Sequence, residues 1–293
     1  MAYVIGIDFG GSKIRGVLAN DSGKVIHSYA RPTEPHKSRK EIVANILEVI
    51  ERLNVHDVQA IGISSPGFSL PSGKMACMPN TRKLEGVNLK KEIEKKTNLK
   101  VVLENDANCF ALAEQRRGAA KGCKQVVGVI IGTGVGAGII INGEIYRGAT
   151  GGAGEAGHGK LVVHHNIHDV EDLISGPNIV KRYEHLSGKK AESPRVILNK
   201  KDKVAKQVYD EFVFFSGMFF SNLIDIFNPE MIVVGGGVSN ISFYKDANKI
   251  VDKLAQPELR KACRIRKNLW GDDSGVLGAV ELALNELKRL KTS

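Results

Sequence analysis

The chain is poor in cysteine: Cys77, Cys109, Cys123 and Cys263 are the only four in 293 residues, and no two have CxxC spacing. That argues against a disulfide framework or a cysteine-based zinc knuckle and reads as reduced thiols in a cytoplasmic protein. No signal peptide is expected either. The start "MAYVIGIDFGGSK" has no basic stretch followed by an apolar one, and Asp8 comes too early for a signal peptide. Long apolar runs are also lacking. The strongest, Val126 to Ile141, falls short of the ~20 residues a spanning helix needs, and its glycines and β-branched residues read as strand, so no membrane segment is expected. Acidic residues are in deficit, with Lys+Arg 42 against Asp+Glu 32, a formal charge of +10. The excess is dispersed over stretches such as "KKEIEKKTNLK". This favours a solvated basic surface over a nucleic-acid groove and would also suit a polyanionic small ligand.

What is present is a repeat. Laying "YVIGIDFGGSKIRGVLAND" over "QVVGVIIGTGVGAGIIING" without a gap aligns Val4 with Val126, Gly6 with Gly128, Gly10 with Gly132, Gly16 with Gly138 and Asn20 with Asn142. Each copy reads as strand, tight glycine turn, strand and second turn. The second copy ends in Asn142-Gly143, a strong hairpin signal because both central residues accept positive φ. Helical patterns and strands then alternate: "EIVANILEVIERL", "VQAIGIS", "NLKKEIEKKTN", "VVL" and a helix opening at "NDANCFALAEQRRG". Later come the long apolar helix "DKVAKQVYDEFVFFSGMFFSNLIDIF" and the buried strand "MIVVGGG". The expected class is α/β, with two similar lobes and a cleft between them. Neither glycine turn opens a helix, so a dinucleotide-binding fingerprint fails on context, and "DFGGSK" lacks P-loop spacing.

Taken in order, "IGIDFGGSK", "IGISSPG", "PN", "ENDAN", "IIGTGVGAGIIINGEIYRG", "GEAGH", "VEDLISG", "FNPEMIVVGGGVS" and "GDDSGVLGAVELA" resemble the ROK family of repressors, open reading frames and kinases. That family lies within the actin-like, ribonuclease H-like ATPase superfamily. The resemblance implies an N-terminal lobe of residues 1–116 with 275–293, a C-terminal lobe of 117–274 and an interlobe active site. It places a hinge near Glu114 to Lys124, with a last helix, about Gly275 to Leu290, packed on the first lobe.

Each motif has a chemistry. In the first phosphate motif, Gly10 and Gly11 let backbone N–H groups approach phosphate oxygens, and Ser12 and Lys13 add a hydroxyl and a cation. Asp8 resembles the family carboxylate that holds Mg2+ through water, although alone it would read as an ordinary strand-end Asp. Thr133 and Gly134 match the second phosphate motif, and Gly235, Gly236 and Gly237 the adenosine motif; a structural hairpin and a flexible turn are their plain alternatives. Asp106 matches the general base that takes the proton of the attacking sugar hydroxyl, a role compatible with a helix N-cap. Sugar hydroxyls fall by resemblance to Pro66, Gly67, Asn80, Asn105, Glu155, His158 and Glu171.

Most members carry a CxCGxxGC segment whose cysteines, with the same histidine, bind structural zinc. Gly159 to Val170 contains no cysteine, so zinc is not expected. Adjacent strand residues point to opposite faces, so His164 and His165 would not converge with His158 on one ion. A solvated loop bearing His164, His165 and His168 is the reading, with a replacement metal site as its alternative. A hydrogen bond from the second ring nitrogen of His158 to a carbonyl or carboxylate is expected in place of the metal.

The resemblance thus implies a cytoplasmic, homodimeric hexose kinase using ATP and Mg2+, acting at the 6-hydroxyl of glucose or a related hexose. Its alternatives are an N-acetylmannosamine, N-acetylglucosamine or fructose kinase, polyphosphate as donor, and a non-catalytic sugar sensor. Family repressors place a helix-turn-helix before the first phosphate motif, so no DNA-reading role is expected here. Family glucokinases often carry Trp shortly after "PN", where this chain has Leu84, which leaves the sugar open.

Overall fold

β-Branched runs broken by glycine turns set the strands. The computed structural model describes residues 2–199 and 202–292. Strands β1 (Tyr3–Phe9), β2 (Lys13–Asn20) and β3 (Val25–Pro32) form an antiparallel meander. Helix α1 (Arg39–Leu53) follows, opened by a capping box in which the Ser38 hydroxyl accepts from Glu41 N while Ser38 N donates to the Glu41 carboxylate. Its buried Ile42, Val43, Ile46, Val49, Ile50 and Leu53 recur at helical spacing. Each such side chain contributes about 1.5–3 kcal/mol on burial. Next come β4 (Val58–Ser65), the short hairpin β5 (Phe68–Ser69) and β6 (Met75–Ala76), then α2 (Leu89–Thr97), β7 (Lys100–Asn105) and α3 (Asp106–Arg117). β4 pairs parallel with both β1 and β7, giving the order β3-β2-β1-β4-β7.

The pattern then repeats. β8 (Val126–Ile131), β9 (Val135–Ile141) and β10 (Glu144–Ile145) form a second antiparallel meander, turned at Asn142 and Gly143, both with positive φ as expected. The hairpin β11 (Lys160–Val163) and β12 (Asn166–Asp169) follows, then α4 (Val170–Ile174), α5 (Gly176–Ser187), α6 (Pro194–Leu198) and α7 (Lys203–Phe227). β13 (Met231–Gly235), α8 (Tyr244–Leu254), α9 (Pro257–Ala262) and β14 (Arg264–Lys267) complete the sheet β10-β9-β8-β13-β14, and α10 (Ser274–Thr292) ends the chain. The two five-stranded sheets share one topology. They differ by a residue at the first turn, since Phe9 pairs with Ile14 but Ile131 with Val135. The ungapped overlay therefore holds for β1 and β8 and slips by one in the next strand, so Gly16 and Gly138 are not equivalent.

The chain divides into two compact units, one of Met1–Arg116, Tyr146–Ala153 and Asp272–Ser293, the other of Arg117–Ile145 and Gly154–Gly271. Residues 146–153, which the sequence reading put in the second lobe, pack with the first unit. Gly151 and Gly152 lie against Ser69 and Phe68, and Arg147 pairs with Glu104. Within the first unit, α10 lies on β1 and β4, where a Cβ on Gly6 would strike Val280 and one on Gly62 the Ala279 carbonyl. In the second, Phe212, Phe219 and Phe220 of α7 are buried in the core while Phe214 is exposed. Among the described residues no helix is long and apolar enough to cross a membrane.

Candidate active site

At the end of β1 the fold buries a carboxylate. Asp8 lies opposite Ser64 of β4, whose Oγ donates to Asp8 Oδ1 at 3.1 Å. Burial pushes the Asp8 carboxyl above the ordinary aspartate value, while the Ser64 hydrogen bond and the charges of Arg15 and Lys13 pull it down. A Cβ on Gly275 would sit 3.1 Å from Asp8 Cγ, so the N-terminus of α10 abuts the carboxylate and favours its charge. A desolvated carboxylate in this setting fits a hydrated divalent cation, which would offset the cost of burying it.

The turn after β1 is fixed from its own backbone and from Thr33, the residue after β3. Gly10 N donates to Lys13 O at 2.9 Å, Thr33 N to Ser12 O at 2.9 Å, and Thr33 Oγ1 to Gly10 O at 2.6 Å. Thr33 is fully buried, and nothing in the motif pattern marked it. Ser12 and Lys13 are left exposed at the turn, where a phosphate could meet them. A Cβ on Gly11 would lie 2.7 Å from Asn80 Cβ, so the turn after β1 and Asn80 are neighbours.

Asn105 and Asp106 divide the cap and the acid between them. α3 begins at Asp106, and it is Asn105 whose Oδ1 accepts from Ala107 N at 2.9 Å and from Asn108 N at 3.3 Å. The cap weighed for Asp106 therefore belongs to Asn105. Asn105 Nδ2 also donates to Gly67 O at 2.9 Å, which ties the Pro66-Gly67 turn to α3 and leaves one amide hydrogen for a hydroxyl. Gly67 has φ 71, and a Cβ there would strike Ala76 O, so this turn requires glycine. Asp106 is exposed, accepting from Ala107 N at 2.8 Å. Its neighbour Glu104 is 5% exposed and accepts from Asn105 N at 3.0 Å, Asn108 Nδ2 at 3.0 Å and Arg147 Nε at 2.6 Å. Arg147 was not foreseen, because only the tertiary fold brings it to β7. Buried Cys109 has its thiol pushed far up, first by burial and then by the charges of Glu104, Asp8 and Asp106, so Asp8 and Asp106 both lie within electrostatic reach of it. Leu84 is fully buried in the core of this unit, so its place in the chain concerns packing.

In the second unit, Gly132 N donates to Gly134 O at 2.9 Å to close the turn, and Thr133 is exposed on it. Glu171 Oε2 accepts from Val135 N at 2.8 Å, and a Cβ on Gly134 would sit 2.6 Å from the same oxygen. The fold thus brings Glu171 onto the Gly132–Gly134 turn. Glycines explain how the "GEAGH" segment packs on β9: a Cβ on Gly154 would strike Ala137 O, and one on Gly157 would strike Val135 O. Exposed Glu155 and His158 project from that segment, with His158 Nε2 4.0 Å from Glu155 Oε2. At the end of β13, Gly236 has φ 83 and packs on Ile131, while a Cβ on Gly237, as on Gly132, would meet only open space.

His158 Nδ1 lies 3.0 Å from Asp169 Oδ2, the carboxylate bond expected of it. This hydrogen bond, with lesser contributions from the Glu155, Asp169 and Glu171 charges, lifts the imidazole above its ordinary value. His164 and His165 are not strand residues. With φ 48 and 68 they form the two-residue turn between β11 and β12, a conformation histidine tolerates better than most non-glycine residues. His168 lies in β12 opposite Leu161. Among the described residues no three His, Cys, Asp or Glu side chains come together as a metal-holding group. With Nδ1 of His158 taken by Asp169, the residues here do not fit a zinc ion.

A model of the ROK family matches residues 4–286. The chain is 30% identical over 306 residues to an N-acetyl-D-glucosamine kinase of Pasteurella multocida, covering 96% of this chain and 99% of that one. It is 29% identical over 308 residues to a glucokinase of Halalkalibacterium halodurans, covering 94% and 93%. Its fold is similar to that of a ROK family glucokinase from Streptomyces griseus solved in complex with glucose and AMPPNP. That likeness has a TM-score of 0.80 and 27% identity and covers 97% of this chain and 100% of that one.

Proposed function

The chain belongs to the ROK family and is a sugar kinase; we propose that its reaction is ATP-dependent transfer of the γ-phosphoryl group to the 6-hydroxyl of glucose or a related hexose. The observation that carries this reading is Asp106, an exposed carboxylate at the first residue of α3 whose neighbours Glu104 and Asn105 are both fixed by hydrogen bonds. Phosphoryl transfer asks for positioning and charge stabilisation more than covalent chemistry, so a placed base and phosphate-binding amides suffice.

Asp106 takes the proton of the sugar 6-hydroxyl as that oxygen attacks. By the family resemblance, sugar hydroxyls fall to Glu155, His158 and Glu171 of the second unit and to Asn80 and the remaining amide hydrogen of Asn105 of the first. Amides of the Gly10–Gly11 and Thr133–Gly134 turns, with Ser12 and Lys13, hold phosphate oxygens, and the adenosine lies on Gly235 to Gly237. Asp8 is the residue that would hold Mg2+ through water, and the ion when bound neutralises charge on the β- and γ-phosphates. By the same family resemblance the protein works as a cytoplasmic homodimer; its mass by light scattering tests the dimer.

A second reading has a specific observation behind it. A relative 30% identical is named an N-acetyl-D-glucosamine kinase, so that sugar stands beside glucose as acceptor. ADP release with MgATP, measured over glucose, mannose, fructose, N-acetylglucosamine and N-acetylmannosamine, ranks the acceptors. Repeating it with GTP and polyphosphate ranks the donors. Turnover with at least one sugar and ATP is expected; silence across the panel would remove the kinase assignment.

A further inference from the structure

His158 has a holder built from three segments. Its Nδ1 meets Asp169 Oδ2 at 3.0 Å. The other Asp169 oxygen pairs with Lys160 Nζ, and the β11–β12 register sets Lys160 directly opposite Asp169. Asp169 is also the N-cap residue of α4, with its own N donating to Asp172 Oδ2 at 3.3 Å. The residue is therefore held before its carboxylate meets the ring: its backbone by the hairpin register and the helix start, its side chain by the lysine.

We propose that Asp169 is a positioning residue for sugar binding, which fixes the orientation and tautomer of His158. This rests on the sugar-kinase reading. A carboxylate accepts only, so the neutral imidazole bonded to it carries its proton on Nδ1 and presents Nε2 as an acceptor. That nitrogen is the one turned to Glu155, 4.0 Å away. The separation is too long for a direct hydrogen bond, and both groups remain able to accept from hydroxyls. Two acceptors on one short turn suit a ligand presenting neighbouring O–H donors, the chemistry of a sugar.

Asp169 needs a substitution that separates its two jobs. Asp169→Ser keeps a good N-cap for α4 and is too short to reach the ring, whereas Asp169→Asn keeps both the cap and a carbonyl acceptor. The first readout needs no substrate: long-range nitrogen–proton correlation spectra of the histidine rings, followed over pH. Wild-type His158 is expected to be protonated at Nδ1 when neutral and to titrate above the ordinary histidine value. Around it stand Glu155 on its own turn, Asp169 of β12 with Lys160 of β11, and Glu171 of α4. In Asp169→Ser the midpoint should fall and the Nε2-protonated form should appear. The second readout is kinetic. Asp169→Ser should raise KM for the sugar about tenfold, the loss expected for one hydrogen bond, with KM for ATP unchanged. Asp169→Asn should recover part of that loss.

An unchanged ring spectrum in Asp169→Ser, or an unchanged sugar KM, overturns the proposal. So does stoichiometric zinc in protein purified without a His tag. If the wild-type protein phosphorylates no sugar, the kinase reading fails by itself, and the ring spectra still decide whether Asp169 sets the state of His158.

Discussion

Replacing Arg147 by Met removes one of three donors from Glu104, a carboxylate whose side chain is 6% exposed. Taking one partner from a fully buried ion pair costs about 3–5 kcal/mol. Two observations bring the figure down here. The Arg147 side chain is 53% exposed, so water can approach from its side, and Glu104 keeps Asn105 N and Asn108 Nδ2. What remains is a single charge-assisted hydrogen bond, at the low end of its range, about 1.5 kcal/mol. Urea denaturation should show a lower midpoint at unchanged slope. The kinetic effect should be larger than the stability effect. Glu104 holds the backbone immediately before Asn105 and Asp106, and a base displaced by about 1 Å can cost 10²-fold, so kcat should fall about ten- to a hundredfold with KM for ATP unchanged. Glu104→Gln and the double variant close a thermodynamic cycle, in which a coupling of about 1 kcal/mol or more is expected. If Arg147→Met loses under about 0.3 kcal/mol and its kcat is unaltered, the idea that this pair holds the catalytic segment is wrong.

Asp106→Asn should lower kcat by about 10²–10⁴-fold at an unchanged melting temperature, and near-normal turnover would contradict its assignment as base. Gly62→Ala should destabilise by about 1–3 kcal/mol, because its Cβ would run into the Ala279 carbonyl of α10; an unchanged denaturation midpoint would mean the helix yields at no cost. Glu230 accepts from Gln125 N at 2.8 Å and from Lys124 N, and these bonds hold its carboxyl below the ordinary value. A depressed carboxylate stabilises above its unfolded value, about 4.3, and loses that contribution as pH falls through the folded value. Water screens this carboxylate, so Glu230→Gln should cost well under about 1 kcal/mol at pH 7, and the difference should shrink as pH falls through the folded value, as denaturation over descending pH will report.

What could be read from the chain was mostly local. Glycine turns between β-branched runs, the Asn142-Gly143 hairpin and the helical spacing of α1 each depend on a few consecutive residues, and each formed where expected. The duplicated sheet followed from two such local patterns, although the one-residue difference in the first turns could not be seen while glycines aligned on both sides of it. Contacts between distant segments were hidden. Thr33 gives no sign of bracing the Gly10 turn, Arg147 none of reaching Glu104, and Leu84 none of being core. The histidines show both cases. An acceptor for His158 was foreseeable from chemistry, but Asp169 as that acceptor depends on hairpin register. His164 and His165 lie in the exposed loop that was expected, but as its two-residue turn, to which the alternation of strand side chains does not apply, while His168 is a strand residue.

The last helix carries a consequence for synthesis. Val4, Val17, Ala19 and Ala60 of the first sheet are covered by Val276, Val280, Ala283, Leu284 and Leu287 of α10, residues made only after the whole second unit. While the chain is emerging from the ribosome, that face has no cover, whereas the second sheet has all its strands by Lys267. The half that is written first is finished last, so a nascent chain stalled before Ser274 would carry an open apolar face for chaperones to find.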